Sequence, residues 1–239
     1  MPATSKTTTT LKGTTIALTI IGAWLASLTA LLTVELSGWL VVPAVVVQTF
    51  LYTGLFITAH DAMHGTVAPA NRRFNDLVGT VAVRLYALFS YAKLREKHWE
   101  HHDHPASEDD PDYHDGEHAG FWGWYANFLS NYVGLWQIVG MAVAYNVLHH
   151  VLGVSLMRLN VFWVLPALLS TLQLFYFGTY LPHREGEEGY ADEHRTTSNA
   201  YPVWLSFLTC YHFGYHWEHH ENPGVAWWRL PKVRRERSV

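Results

Sequence analysis

The sequence predicts an all-α integral membrane protein with about four transmembrane helices and a cytoplasmic, histidine-rich cap. Three observations carry that prediction. Charged residues make up 15% of the 239 positions and apolar ones 49%, whereas an average soluble domain is about 25% charged. The charges are also segregated: no Asp, Glu, Lys or Arg occurs in 13–34, 36–59, 119–157 or 159–182. The chain carries 16 histidines, where ordinary usage gives about five.

A helix needs about 20 apolar residues to cross a bilayer. The first uncharged run, TIALTIIGAWLASLTALLTV, predicts a span over 15–34, and the second, WLVVPAVVVQTFLYTGLFIT, one over 39–60. Two more fit at 132–152 and 160–181. Buried helices of a soluble bundle would show a polar stripe, which these lack. The first run is long for a signal peptide and no small-residue cleavage site follows it, so it reads as a retained span. The pieces 77–94 and 203–213 are too short or too mixed to cross and suit helices lying in the interface. Trp39, Trp136 and Trp163 fall near predicted span ends, where indoles anchor.

Four spans return 61–130 and 183–231 to the side on which the chain begins, as one membrane domain over 1–239. Of the 16 Lys and Arg, only Arg158 falls on the far side. By the positive-inside rule the starting face is the cytoplasm, with both termini there. The Arg-rich tail 231–239 reads as a solvated end near anionic head groups. The net charge of −4 excludes a strong nucleic-acid binder. The single cysteine, Cys210, excludes an internal disulfide, a Cys-rich zinc module and a thiolate-held iron–sulfur cluster.

Nine histidines fall on the predicted cytoplasmic side at one depth. They are His60 and His64 in HDAMH, His98, His101 and His102 in HWEHH, His183 in YLPHR, and His216, His219 and His220 in a second HWEHH. On a helix, i, i+3 and i, i+4 share a face. His60 and His64 can therefore grip one ion, while the last two histidines of each HWEHH diverge by about 100° and can serve two. Nine imidazoles suffice for two metals with positions left for oxygen or water. Imidazole suits zinc, copper, iron and nickel. Without thiolates, copper(I) and structural zinc are disfavoured, and nine ligands overshoot closed zinc. A pair of irons in such a field can activate dioxygen. HDAMH also resembles the zinc-protease HExxH with Asp61 in place of Glu, a reading that leaves seven histidines idle. Histidine-ligated haem is a further alternative.

Carboxylates beside the boxes (Asp61, Glu100, Asp103, Glu218, Glu221) and in 108–115, including Asp112, are candidates to receive the other N–H of a ligating imidazole. His212, four residues before His216, is expected to support the site or face substrate. His149 and His150 are expected across the membrane, and His104, His114, His118 and His194 in polar cap segments, solvated or structural.

The strings TAHDAMHG (58–65), HWEHHDHP (98–105), DDPDYH (109–114), YLPHR (180–184) and YHFGYHWEHHENPGVAWWRLP (211–231) resemble the membrane fatty-acid desaturase/hydroxylase superfamily. Within it they are similar to the bacterial and cyanobacterial β-carotene ketolases. The resemblance implies a desaturase-like fold and a non-haem di-iron oxygenase with the nine histidines as ligands. It implies O2 as cosubstrate and a carotenoid such as β-carotene as substrate, ketonised at ring carbon 4 by two hydroxylations and a dehydration. A carotenoid ring 3-hydroxylase or a fatty-acid desaturase would use the same metal site. No flavin or nicotinamide fingerprint is present, so electrons must come from an external donor, for instance a ferredoxin. Phe121, Trp122, Trp124, Phe207 and Tyr211 are candidates for the ring pocket.

Overall fold

A computed structural model describes residues 3–237, and every regular element in it is helical. The long helices are α1 (Ala3–Thr33) and α2 (Val41–Met63). They are followed by α3 (Arg72–Ala87), α4 (Tyr91–Asp103), α5 (Phe121–Tyr132) and α6 (Leu135–Asn146). A continuous helix α7 (Leu156–His183) comes next, then three short ones: α8 (Val203–Cys210), α9 (His216–Glu221) and α10 (Leu230–Arg237).

Three helical stretches are long and apolar enough to cross a membrane: Lys6–Thr33, Gly38–Met63 and Leu156–His183. They contain the predicted spans at 39–60 and 160–181 and all but the last residue of the one at 15–34. They keep large apolar side chains on the outside, such as Leu18, Val42, Val46 and Leu168. A soluble protein would hide such a girdle; in lipid it is the expected surface. The region 132–152 differs from expectation. Helix α6 (12 residues) starts after a break at Val133 and Gly134 and ends in a π turn, Val147–Val151 (5 residues). At 1.5 Å per residue this piece reaches about 25 Å, shorter than the predicted span. Trp39 and Trp136 are exposed, but Trp163 is buried and stacks parallel to Tyr145, so it packs rather than anchors.

Helices α3 and α4 fold back on each other at 99°. Asn71 caps α3 by accepting the Phe74 N–H, and Leu88 ends it in the left-handed conformation (φ 58°). This bend turns the segment predicted to lie in the interface (77–94) into a corner, and α4 carries the second histidine box. On the far side, the Arg158 guanidinium donates to the Leu32 carbonyl (3.1 Å) and so caps the C-terminus of α1.

Inside the bundle a polar network joins four helices. Thr53 donates to Gln173 Oε1 (2.6 Å) and lies 3.0 Å from the Ser170 hydroxyl, which accepts from Tyr86 (3.1 Å). The Gln173 amide donates to the Thr209 carbonyl. With lipid outside, association cannot draw on hydrophobic burial alone, and such bonds fix which helix faces which. Close approach does the rest. At Gly79 on α3, a Cβ would overlap the Tyr91 ring and come within 2.7 Å of Ala62 on α2.

The tail departs from expectation. Residues 230–237 form α10, and Arg234 and Arg237 reach back to the buried Glu218 carboxylate (3.1 and 3.4 Å). Ser238 and Val239, the end of the predicted solvated tail, lie outside the described residues.

Gly79→Val is expected to cost about 1–3 kcal/mol by overpacking, read as a lower melting midpoint of the detergent-purified protein. An unchanged midpoint would refute the close α2–α3 contact.

Candidate metal centre

Each histidine box sits where a helix ends. The last turn of α2 presents His60, and His64 follows immediately; their rings lie 4.9 Å apart. The last two turns of α4 present His98, His101 and His102, α7 ends at His183, and α9 carries His216, His219 and His220. These ends meet, and the nine rings form one contiguous cluster. Within it two groups each place four ligand nitrogens within 4.8 Å of one another: His60, His64, His98 and His219, and His101, His183, His216 and His220. Each HWEHH is divided between the groups. His102 lies between them, its Nε2 3.0 Å from that of His219 and its ring stacked 4.3 Å from His220.

The hydrogen bonds show which nitrogens face inward. His101 Nδ1 donates to Asp110 (2.9 Å), and His183 Nδ1 donates to the Arg195 carbonyl (3.0 Å). In the neutral ring that leaves each Nε2 as a lone pair, and His183 Nε2 is buried with no hydrogen-bond partner. His219 Nε2 lies 3.1 Å from His60 Nε2, and His220 Nε2 lies 3.2 Å from those of both His101 and His216. One proton cannot serve several converging acceptors, whereas one cation can. At a metal–nitrogen length of about 2.1 Å, two ligands of one ion lie at most about 4.2 Å apart, so groups whose nitrogens fall within 4.8 Å of one another need only a small inward adjustment to hold one.

Electrostatics favour the ligating form. Burial, and then repulsion from neighbouring imidazoles, pushes His98, His102, His216, His219 and His220 well below the ordinary histidine range. They are neutral near pH 7, as metal ligation requires. At His101 burial opposes the charge, but Asp110 and Asp112 outweigh it and lift the group to about 9. Asp110 is itself held below the usual carboxylate range; burial opposes this, and His101 and the Asp112 N–H outweigh it. Burial pushes Asp112 up to about 6, against the pull of His101.

An apolar cavity borders the cluster, and His60, His98, His101 and His216 are part of its lining. Phe56, Met63, Phe89, Phe128, Leu174 and Phe213 form much of the rest. Gly178 lets Phe213 press against α7, since a Cβ there would overlap the ring.

The supporting residues expected from sequence need correction. Asp61 stands 3.8 Å from His60 Nδ1, too far for a hydrogen bond, and instead accepts the Trp227 N–H (3.2 Å). Asp110, two residues before the candidate Asp112, is the carboxylate that orients His101; Asp112 accepts from the Tyr132 hydroxyl and lines the cavity. Glu218 pairs with Arg234 and Arg237, and Glu221 with His194 (2.8 Å). His212 does not continue a helix toward His216: Tyr211 and His212 both have positive φ (47° and 63°), and its Nδ1 bonds the Ser206 hydroxyl (3.2 Å).

None of the five expected ring-pocket aromatics lines the cavity. Phe121 packs on Phe175 and Tyr180, and Trp122 is exposed. Trp124 is buried and donates to the Asp112 carbonyl (2.7 Å). Phe207 and Tyr211 pack on Phe50. The lining residues that sequence reasoning missed had a signal: Phe56 precedes His60 by one helical turn, on the same face.

Long apolar helices that gather three histidine boxes at one end define a class of histidine-box membrane proteins. The family model for fatty acid desaturases matches residues 37–138 and 131–238. The chain is 44% identical over 256 aligned residues to beta-carotene 4-ketolase 3 of Haematococcus lacustris, covering 94% of this chain and 79% of that protein. It is 46% identical over 187 residues to beta-carotene ketolase of a Paracoccus strain, covering 78% of this chain and 76% of that protein. It is 43% identical to zeaxanthin 4-ketolase of Chlamydomonas reinhardtii over 90% of this chain and 49% of that protein. The chain belongs to the fatty acid desaturase family and, within it, to the β-carotene ketolases.

Asp110→Asn is expected to weaken metal binding by about 10–100-fold, the usual effect of removing a carboxylate behind a ligating imidazole. His149→Ala is expected to leave metal content unchanged, because His149 bonds the Val154 carbonyl (2.9 Å) away from the cluster. Elemental analysis of the purified variants checks both.

Proposed function

We propose that this protein is a β-carotene 4-ketolase, a non-haem di-iron oxygenase that converts β-carotene through echinenone to canthaxanthin. The observation that carries the reading is the pair of four-histidine groups beside an apolar cavity at the ends of membrane-length helices. Names of relatives at 44% and 46% identity support the substrate. His60, His64, His98, His219, His101, His183, His216 and His220 would hold two irons, with His102 between them as the ninth ligand. The protein would be multi-pass in a bacterial inner or thylakoid membrane. Its organisation would be four spans, with the cap and both termini in the cytoplasm.

Two irons, when bound, would supply the redox chemistry that activates O2, fed by an external one-electron donor such as a ferredoxin. The chain's own contribution is position. β-Carotene is an apolar rod dissolved in the bilayer, and the aromatic cavity receives one ring end while excluding water. The ring carbon 4 is a CH2 next to a double bond, so its C–H bonds are comparatively weak. One O2, two electrons and two protons convert this CH2 to CHOH plus water; a second round gives C(OH)2, which loses water to leave C=O. The walls must hold carbon 4 rather than carbon 3 toward the histidines, and a displacement of about 1 Å is enough to cost 100-fold in rate.

Expression in a β-carotene-producing bacterium, followed by pigment chromatography, is expected to yield echinenone and canthaxanthin, dependent on O2. Zeaxanthin as sole product would establish a 3-hydroxylase, and a newly unsaturated lipid a desaturase. Zinc alone with O2-independent activity would establish a zinc enzyme, and a Soret band a haem protein. His101→Ala and His220→Ala are each expected to abolish product and lower bound iron; full activity would remove that residue from the site.

A further inference from the structure

A cavity for a hydrocarbon ring has no use for hydrogen bonds, yet this one carries two polar groups with bonding capacity unspent. Thr179 is 4% exposed and lines the cavity. Thr49, Thr80 and Thr209 each return their hydroxyl proton to the carbonyl one helical turn back (2.7–2.9 Å). Thr179 sits in the π turn Tyr176–Tyr180, and among the described residues its hydroxyl has no hydrogen-bond partner. The other neutral hydroxyls of the wall are satisfied: Tyr86 donates to Ser170 (3.1 Å) and Thr171 to the Leu168 carbonyl (2.8 Å). Asp112 is the second group. Its Oδ1 accepts from Tyr132, but its Oδ2 lies 3.9 Å from His101 Nδ1, whose proton goes to Asp110. An unpartnered hydroxyl in an apolar wall costs free energy, and β-carotene cannot relieve that cost. The oxygenated ring can.

We propose that Thr179 and Asp112 form a two-point receptor for the oxygen that the first hydroxylation places on ring carbon 4. The receptor retains the alcohol so that the second oxidation falls on the same carbon. An alcohol has one proton to give and lone pairs to offer. Its O–H donates to Asp112 Oδ2, and its oxygen accepts from the Thr179 hydroxyl. Thr179, Asp112, His101 and His216 all line the same cavity, and Asp112 lies 3.9 Å from His101, so an alcohol held at this pair stays beside the histidines, with its remaining C4–H available to the second oxidation. The second step then balances as before: CHOH, one O2, two electrons from the external donor and two protons give C(OH)2 and water, and dehydration gives the ketone. This inference rests on the ketolase reading above.

The test is product analysis and kinetics of full-length Thr179→Val and Thr179→Ser in membranes supplied with β-carotene, 4-hydroxy-β-carotene or a 3-hydroxylated carotenoid. Thr179→Val removes the hydroxyl at nearly constant volume. The expected result is a 4-hydroxy to 4-keto product ratio raised about tenfold, the upper end for one neutral hydrogen bond. KM is expected to rise more for 4-hydroxy-β-carotene than for β-carotene, and Thr179→Ser is expected to restore both. Should the valine variant fail to fold, Thr179→Ala removes the same hydroxyl and carries the same readouts. A product ratio that stays at the wild-type value overturns the inference, as does a KM change equal for both substrates or confined to 3-hydroxylated rings. A wild-type protein that forms no 4-ketone overturns the ketolase reading, and this inference with it.

Discussion

Nine imidazoles crowded into an interior are unstable by themselves. Each is cut off from water, each repels the others when protonated, and several nitrogens approach within hydrogen-bond distance with too few protons to share. Burial therefore drives most of them neutral, which turns a liability into a set of aimed lone pairs. The arrangement makes sense around cations, and much of the remaining architecture serves to bring these groups together and hold them. Asp110 makes a short carboxylate contact to the cluster. By accepting the His101 Nδ1 proton it orients that ring and places a negative charge behind it.

The membrane setting explains why the boxes lie at helix ends. A polar cluster at the bilayer centre is costly, but helices that run the full apolar thickness deliver their last turns to the boundary. His60 and His183 are such last-turn residues of α2 and α7. The bend between α3 and α4 brings the second box to the same level from outside the spans. Between those ends the helices are locked by the Thr53–Ser170–Gln173–Tyr86 network rather than by apolar burial alone. The cavity borders the cluster, and Tyr86 belongs to both the network and the cavity wall. A shift of the helices at this network would therefore reshape the cavity beside the histidines.

What could be read from sequence follows from periodicity and composition. Uncharged runs marked the long helices, and i, i+3 and i, i+4 spacing marked histidines able to share an ion, because both are local properties. The sites that misled depend on tertiary contacts. Asp110 and Asp112 are equivalent in a string of acids, and only the fold of the 104–113 turn decides which meets His101. His212 is in register with His216 only if a helix runs through, and the left-handed Tyr211 and His212 break it. The aromatics expected at the ring pocket rest on residue type and proximity in the chain alone. The actual lining comes from α2, α3, α4, α5, α7 and α9 and the segments between them, whose meeting point no local pattern encodes. Asp61, next to His60 in the chain, is turned away from the cluster because consecutive helical positions point about 100° apart.

The third box poses a separate folding problem. Helix α9 has six residues, far below the length at which a helix holds itself, yet it supplies three of the nine histidines. Its conformation must come from outside, and Glu218 at its centre is the handle. The carboxylate is buried, accepts from Ser198 on one oxygen and from Arg234 and Arg237 on the other. Trp217 is held beside it, its backbone N–H on Ser198 (3.0 Å), its indole N–H on Asp192 (2.6 Å) and its ring under the Arg237 guanidinium (3.5 Å). In HWEHH the two residues that are not histidine thus face away from the cluster and fasten the turn to the chain's last helix. The box is a two-sided element: one side faces the histidine cluster, and the other is bolted to α10 by a buried ion pair whose loss would leave an unpaired charge. That division of labour accounts for the Trp–Glu pair between the histidines of this box. It also gives the basic C-terminal segment a structural role that its composition alone did not suggest.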